Sequence, residues 1–299
     1  MSYCDWSLTI DGISHPFGEV EVSSWIIGGR EYRTDDTSRP RTDGRYFGQD
    51  FADPGDVEIN LVIRTKGADR QTKFDTAMDI RDAFTSFWNG DTVRLLPGKV
   101  TELTIAGRAV VEGRPRHIDW DDTLATFGII KGNALFVRNF DQAFGIDSSG
   151  GGGSLWEEIT VGLVPAQVGG LVAPLVAPLT TAASSTRARP FEVGGEGEVW
   201  PIIGVAGPLH TGAWVELTNG WAIQLNRSLA YDEVAILDSR PGSRTMSVNG
   251  RAMNLLTPAG NRLSQVSISP GIQEVALRGT SLEGTATATL KWREVKKVI

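Results

Sequence analysis

The chain has 299 residues, of which 40% are hydrophobic and 22% charged, with a net charge of −7. That length allows two ordinary domains, each with its own core, and the acidic balance excludes nonspecific attraction of the whole molecule to nucleic acid or anionic lipid. A lone cysteine, Cys4, excludes an intrachain disulfide and a cysteine-based zinc site, while 35 glycines and 14 prolines favour turns over helices.

In chain order, the start from Met1 to Trp6 lacks the basic flank and apolar run of a secretory signal, so the protein is expected to be made in a cytoplasm. Thr34–Phe51 is long, polar and mixed in charge, with Arg39, Arg41 and Arg45 against Asp35, Asp36, Asp43 and Asp50. A structureless loop of this length is functional or disordered, and the partner-binding reading is preferred because functional loops sit on rigid scaffolds. Val57, Ile59, Leu61 and Ile63 alternate with Glu58, Asn60, Val62 and Arg64, which predicts a half-buried strand. From about Asp69 to Trp88, apolar residues from Phe74 to Trp88 recur at helical spacing. One amphipathic helix is predicted there, capped by Asp69 and stopped by a left-handed Gly90. Thr123–Ile130 alternates like a strand, with Phe127 and Ile129 on one face.

Ser148–Ser154 has the composition of a flexible linker and is the clearest boundary in the chain. Thr160–Thr186 then runs without a charge, long enough to cross a bilayer. Pro165, Pro174 and Pro178 with Gly162, Gly169 and Gly170 would break such a helix repeatedly, so no stable membrane insertion is expected. The segment is read as an extended arm lying on an apolar surface. The remaining residues carry eight short strand patterns: Val199–Val205, Trp214–Thr218, Trp221–Leu225, Val234–Asp238, Thr245–Asn249, Ser264–Ser269, Gln273–Arg278 and Thr285–Trp292. Turn pairs such as Asn249-Gly250 separate them. In the last, Ala286, Ala288, Leu290 and Trp292 fall on one face and Thr285, Thr287, Thr289 and Lys291 on the other, the alternation of an antiparallel sandwich. The fold class is mainly β, with domains at 1–146 and 191–299 flanking a linker and arm at 147–190.

Chemistry is sparse. His15, in a turn before Pro16, His117, in a strand, and His210, in a loop, have no second histidine at a ligand spacing. No Gly-x-Ser-x-Gly elbow is present. Asp35-Asp36, Asp121-Asp122 and Glu157-Glu158 gain nothing from adjacency, because neighbouring side chains on a strand point apart. Gly150–Gly153 has no Gly-Lys-Ser/Thr after it and is linker, not a phosphate cradle. Trp200, Trp214, Trp221 and Trp292 lie in predicted strands, where core packing explains them and an exposed sugar platform is the alternative. The reading is a non-enzymatic protein with no catalytic residue, cofactor or metal.

Several strings together carry a resemblance. Gly194-Gly195-Glu196-Gly197-Glu198-Val199-Trp200-Pro201-Ile202-Ile203 leads into Gly207-Pro208; the run Ala235–Arg244, Val248-Asn249-Gly250, Ser269-Pro270-Gly271 and Ala286–Arg293 come after it. This succession resembles the C-terminal domain of siphophage distal tail proteins, often labelled minor tail proteins in actinobacterial phages. Asp43-Gly44-Arg45, the strand Val57–Thr65, the amphipathic helix, and Arg114–Trp120 with the later Asn139-Phe140-Asp141 are similar to the N-terminal region of that family. The uncharged Thr160–Thr186 segment departs from its compact members. The resemblance implies a tail-tube-like N-terminal domain, a galectin-like or jelly-roll C-terminal sandwich that projects outward, and a hexameric ring in the virion tail tip. Its implied partners are the tail tube, tail-tip hub and tape measure proteins, with the genome passing through the lumen without specific binding. Interface residues on that view are Arg39, Arg41, Asp43, Arg45 and Asp50 in the long loop and Leu171, Val172, Leu175 and Val176 in the arm. The alternative is a carbohydrate- or receptor-binding tail protein whose sandwich contacts the host envelope; a tail-associated hydrolase is the third class.

Overall fold

The computed structural model describes residues 6–29, 31–34, 37–38, 45–46, 51–90, 100–146, 153–165, 188–218, 220–258, 260–281 and 285–296. The chain divides into two compact units, Met1–Leu155 with Lys296–Ile299, and Trp156–Val295. Both are mainly β.

In the first unit, Asp11 and Gly12 take φ of 50° and 81°. That is the turn that joins β1 (Ser7–Ile10) to β2 (Ile13–Pro16) as a tight hairpin. The main sheet also contains β3 (Val20–Ile27), β8 (Val57–Arg64), β9 (Thr101–Ile105), β10 (Ala109–Asp121) and β11 (Ile129–Phe144), in the order β2-β1-β9-β10-β11-β8-β3. Four short strands leave β3 and return to β8: β4 (Glu31–Arg33), β5 (Thr37–Ser38), β6 (Arg45–Tyr46) and β7 (Phe51–Asp53). The expected alternation of β8 holds, with Val57, Ile59, Leu61 and Ile63 all buried.

The helix, α1 (Arg70–Trp88), starts where expected. The Asp69 carboxylate accepts from the Thr72 amide at 2.8 Å and the Thr72 hydroxyl at 3.0 Å, and the bond from the Thr72 amide holds its pKa below the ordinary value. Gly90 is not a left-handed stop. Asn89 ends the helix with φ −86°, and the Gly90 amide bonds back to the Phe87 carbonyl at 3.2 Å. The buried stripe of Ala77, Phe84 and Trp88 seats the helix on the sheet. Phe84 and Trp88 stack at 5.9 Å, Phe17 meets both edge-on at 5.1 and 6.0 Å, and Trp88 reaches Phe136 at 6.5 Å. Each such fully buried aliphatic or aromatic side chain is worth about 1.5–3 kcal/mol.

Two local expectations for this unit are corrected. His15 lies in β2 rather than in a turn. The alternation at Thr123–Ile130 is not one strand: Ala125–Phe127 forms a turn of 3-10 helix that ends at Gly128 with φ 76°, and β11 starts only at Ile129. Phe127 is consequently exposed, with the Arg70 guanidinium 5.2 Å above its ring.

The second unit begins at β12 (Trp156–Pro165), and this corrects the sequence boundary, which placed 147–190 outside both domains. Thr160–Pro165, expected to be the start of an arm, is strand instead: Ile159, Val161 and Leu163 are buried, a core alternation that the lack of charge concealed. The other strands are β13 (Arg189–Val193), β14 (Ile202–Ala206), β15 (Trp214–Leu217), β16 (Ala222–Gln224), β17 (Val234–Asp238), β18 (Thr245–Val248), β19 (Arg251–Ala252), β20 (Gly271–Gly279) and β21 (Thr287–Arg293). Their order is β16-β15-β20-β12-β21-β14-β17-β18-β19, with β13 also on β20. The last strand, β22 (Val295–Lys296), belongs to the first sheet, where it pairs with β11. β12 pairs antiparallel with β21 from Trp156 to Gly162 and then parallel with β20 from Leu163 to Pro165, so one strand joins the two layers. Ala288, Leu290, Ile203, Val205 and Leu237 from one layer and Val215, Ile223, Val275 and Leu277 from the other are all buried.

Most predicted strands of this unit exist within a residue or two. Asn249-Gly250 takes φ of 47° and 78° between β18 and β19, the paired positive values its hairpin requires. Ser264–Ser269 is the exception. Leu263–Gln265 is a turn of 3-10 helix held by the Gln265 side chain accepting from the Arg262 amide at 3.0 Å, and only Ile268 bridges, to Val199. Val266 and Ile268 are buried without a ladder, so apolar spacing alone mimicked a strand.

Candidate assembly interface

The most unusual local structure in the first unit is the ribbon that β3 and β8 make at the sheet margin. β3 carries a bulge at Ser23: Val22 faces Leu61, whereas Ser24 faces Asn60. The Ser23 hydroxyl donates to the Asn60 carbonyl and the Asn60 amide to the Ser24 hydroxyl, each at 3.0 Å. The extra residue re-phases the strand. Val20 and Val22 lie opposite the buried Ile63 and Leu61, and beyond the bulge Trp25 and Ile27 take the core side, opposite Ile59 and Val57. Trp25 meets Trp6 edge-on at 5.3 Å, yet stays 40% exposed, and Ile26, on the other face, is 60% exposed. The outer margin of β3 has no strand partner among the described residues.

The ribbon does not stop at the sheet. Ile27 pairs with Val57, the Gly28 amide bonds to the Asp56 carbonyl at 2.7 Å, and Glu31 pairs with Asp53 in the same register. Thr37 and Ser38 then pair with Tyr46 and Arg45 one residue out of step. The described residues of the stretch expected to be a structureless loop thus include paired strands that follow on from β3 and β8. Its neck is tight: a Cβ on Gly55 would lie 2.3 Å from the Gly28 carbonyl carbon, so no side chain fits at Gly55. Arg138 of β11 closes the neck. Its side chain is 5% exposed, its Nε donates to the Gly55 carbonyl, and its Nη2 donates to the Gly28 carbonyl at 2.9 Å. Burial pushes the guanidinium pKa down, opposed by the nearby charges of Asp141 and Asp56. A charged donor fixed by a core strand thus sets the ribbon's exit from the sheet.

The opposite edge is built differently. β2 has only four residues and ends in Pro16, which has no amide to offer a neighbour. Between β2 and α1 lies an open, mainly apolar groove of about 400 Å³ lined by His15, Phe17, Ile80, Phe84 and Phe87.

Of the interface residues read from the sequence, Arg45 lies on β6, paired with Ser38. Arg39, Arg41, Asp43, Asp50, Leu171, Val172, Leu175 and Val176 lie outside the described residues. Sequence reasoning missed Trp25, Ile26, the glycine pair and Arg138. An apolar run ending in Gly28-Gly29, with Pro54-Gly55 ahead of the Val57 strand, was the available signal for a ribbon neck. Nothing in the sequence marked Arg138, whose role depends on pairing across 110 residues. At the unit boundary, Ser154 of the expected linker is fastened to Glu102, hydroxyl to Oε1 at 2.6 Å and amide to Oε2 at 3.0 Å.

Among the described residues no cluster of three metal-ligating side chains occurs and no helix is long and apolar enough to cross a membrane.

No family model matches the chain, and no curated protein matches it. Solved structures do. The crystal structure of the SPP1 Dit protein, described as a paradigm of the hub adsorption apparatus in phages infecting Gram-positive bacteria, aligns with a TM-score of 0.57 at 10% identity over 97% of this chain and 98% of that one. The phage P2 baseplate in its activated conformation with calcium aligns at 0.45 and 12% identity, over 96% and 97%. The tail of an empty GTA particle gives 0.26 at 15% identity, over 46% and 91%. The last two scores carry no argument. At 10% identity the first speaks to fold alone, and the mainly β fold of this chain is similar to that of the SPP1 Dit protein.

Proposed function

We propose that the protein is a non-catalytic component of a phage tail tip, in which copies of the first unit associate head to tail into a hexameric ring that joins the tail tube to the tip hub. The β3 ribbon carries this reading. An eight-residue sheet margin bearing exposed Trp25 and Ile26 is a template for unwanted pairing unless a partner covers it. In this reading β3 meets a different surface of the next copy, and such unlike contacts close into rings when the rotation permits. The likeness to the SPP1 Dit protein supports the same reading at the level of fold. On this view, the segment with Arg39, Arg41, Asp43, Arg45 and Asp50 reaches an adjacent subunit or ring, and its mixed charge gives directional pairing. The uncharged residues Leu171, Val172, Leu175 and Val176 contact a neighbouring subunit or the hub. Tube, hub and tape measure proteins are the neighbours, and the virion tail tip is the location.

Negative-stain imaging of the purified chain, and of tails bearing a label on its second unit, tests the proposal. Closed rings, or labelled density at the tail tip, are expected. A single copy at every concentration together with tails that lack the label would refute it.

A further inference from the structure

The second unit carries a polar row that the tail reading does not use. On the outer face of its smaller layer, Gln224, Trp214 and Arg278 stand side by side on β16, β15 and β20. Two residues along, Glu216 is flanked by the small side chains of Ala222 and Ala276. The Trp214 indole N–H donates to Glu216 Oε2 at 2.9 Å, and Arg278 Nε donates to Glu216 Oε1. Glu216 and Arg278 are 28% and 30% exposed, so neither is buried nor free. The terminal amino groups of Arg278 have no acceptor among the described residues.

A cross-strand ion pair by itself stabilises a sheet by little, and it has no need of an indole pinned beside it. An aromatic ring, a carboxylate with spare lone pairs and a guanidinium with spare donors are together what a sugar requires. The ring takes the apolar C–H face, and the fixed pair takes two vicinal hydroxyls, one accepted and one donated. The row is also preorganised, because Gln224 is held by Thr257 and by the Gly212 carbonyl at 3.2 and 3.4 Å, and Trp214 by Glu216. We infer that this face is a binding site for a neutral hexoside of a cell-surface glycan, centred on Trp214, Glu216 and Arg278. The inference stands whether or not the first unit forms a ring.

The test is a titration of the full chain with methyl glycosides of galactose, glucose, N-acetylglucosamine and rhamnose at millimolar concentration. Saturation transfer to the sugar and the indole N–H resonance of Trp214, assigned from Trp214→Phe, are read together. At least one glycoside should show transfer and shift the Trp214 resonance. Glu216→Gln and Arg278→Ala should each weaken it about ten-fold or more, as expected for one charge-assisted hydrogen bond, while Ser247→Ala on the other layer should not. No transfer from any of the four, or binding that leaves the Trp214 resonance of the wild-type chain in place, overturns the assignment. The wild-type reading decides the matter even if a variant fails to fold.

Discussion

The two units face the same problem, the open margins of a β-sheet, and meet it in opposite ways. The second unit ends its layers in β16 with three residues, β19 with two, the latter bearing an exposed Arg251, and β13 with five, which contains Pro190. Short, charged margins discourage pairing with another chain. The first unit shuts one margin with Pro16, but the eight residues of β3 have no outer strand partner among the described residues, carry Trp25 and Ile26, and continue past a neck bolted by Arg138 into further paired strands. On the proposed reading, the open margin of the first unit is the one that a partner covers.

The largest effect expected is on assembly. Replacing the outward-facing Ile26 by glutamate should weaken self-association by about ten-fold or more, as for a hot-spot residue, while monomer stability moves by about 0.5 kcal/mol or less. Arg251→Glu on β19 should change neither. Sedimentation velocity across a concentration series reads both, and equal behaviour of the two variants would erase the contrast between the two margins.

Next in size is the ribbon neck. Arg138→Ala leaves the Gly28 and Gly55 carbonyls without their charged donor and should remove about 3 kcal/mol from the first unit. Calorimetry should show that transition falling while the second unit's stays. A single transition that shifts as a whole would mean the units do not unfold independently.

The second unit has its own fastening at the β17–β18 turn. Asp238 is bonded by Arg240 at 2.7 Å and by the Ser243 hydroxyl at 2.8 Å. Burial alone would raise its pKa, but the bonds and charge of Arg240 hold it below the ordinary value. Its contribution is therefore complete above the unfolded carboxylate pKa and is lost as pH falls through the folded one. Asp238→Ala should cost about 2 kcal/mol at neutral pH, less than a fully buried pair because Arg240 is 29% exposed. Asp238→Asn should flatten the acid limb of the second transition; an unchanged limb in that variant would rule out this carboxylate as its source.

The smallest effect has the opposite sign. Burial, and then the neighbouring Glu294 carboxylate, raise the pKa of Glu157. Stability from that group is present below its unfolded pKa and declines as pH rises through the folded value. Glu157→Gln should thus raise the second unit's midpoint slightly at neutral pH and leave it unaltered in acid. A lower midpoint at neutral pH would show that the charged form is stabilising.

Much of the fold was legible because it is written in short-range terms. The cap at Asp69, the stripe ending at Trp88, the Asn249-Gly250 turn and the alternation from Thr285 to Trp292 each depend on neighbours within one turn or strand. The Asp11-Gly12 turn between β1 and β2 is a signal of the same local kind. Periodicity failed where burial lacks a ladder, at Val266 and Ile268, and where the uncharged strand Thr160–Pro165 merged with the equally uncharged residues after it. The long polar stretch was read as a loop, whereas Thr37 and Ser38 pair with Tyr46 and Arg45 within it, because polar strands of two residues are too short to show a period of two. The site residues fared worst. Trp25 is exposed through a bulge, and Arg138 matters through two carbonyls far away in sequence; neither circumstance leaves a local pattern.

The strand shared between the two layers has a further consequence. Pro165 at the end of β12 pairs with Gly279, and Arg189 at the start of β13 pairs with Val275. Both ends of the intervening connection are thus riveted to one strand, β20, a short distance apart, on the order of 13 Å for four strand residues. A loop anchored in this way can grow or shrink without asking anything of the sandwich, because doubling its length costs only about 0.6 kcal/mol of closure entropy. A change in the number of residues between Pro165 and Arg189 then leaves the same two pairings on β20 in place.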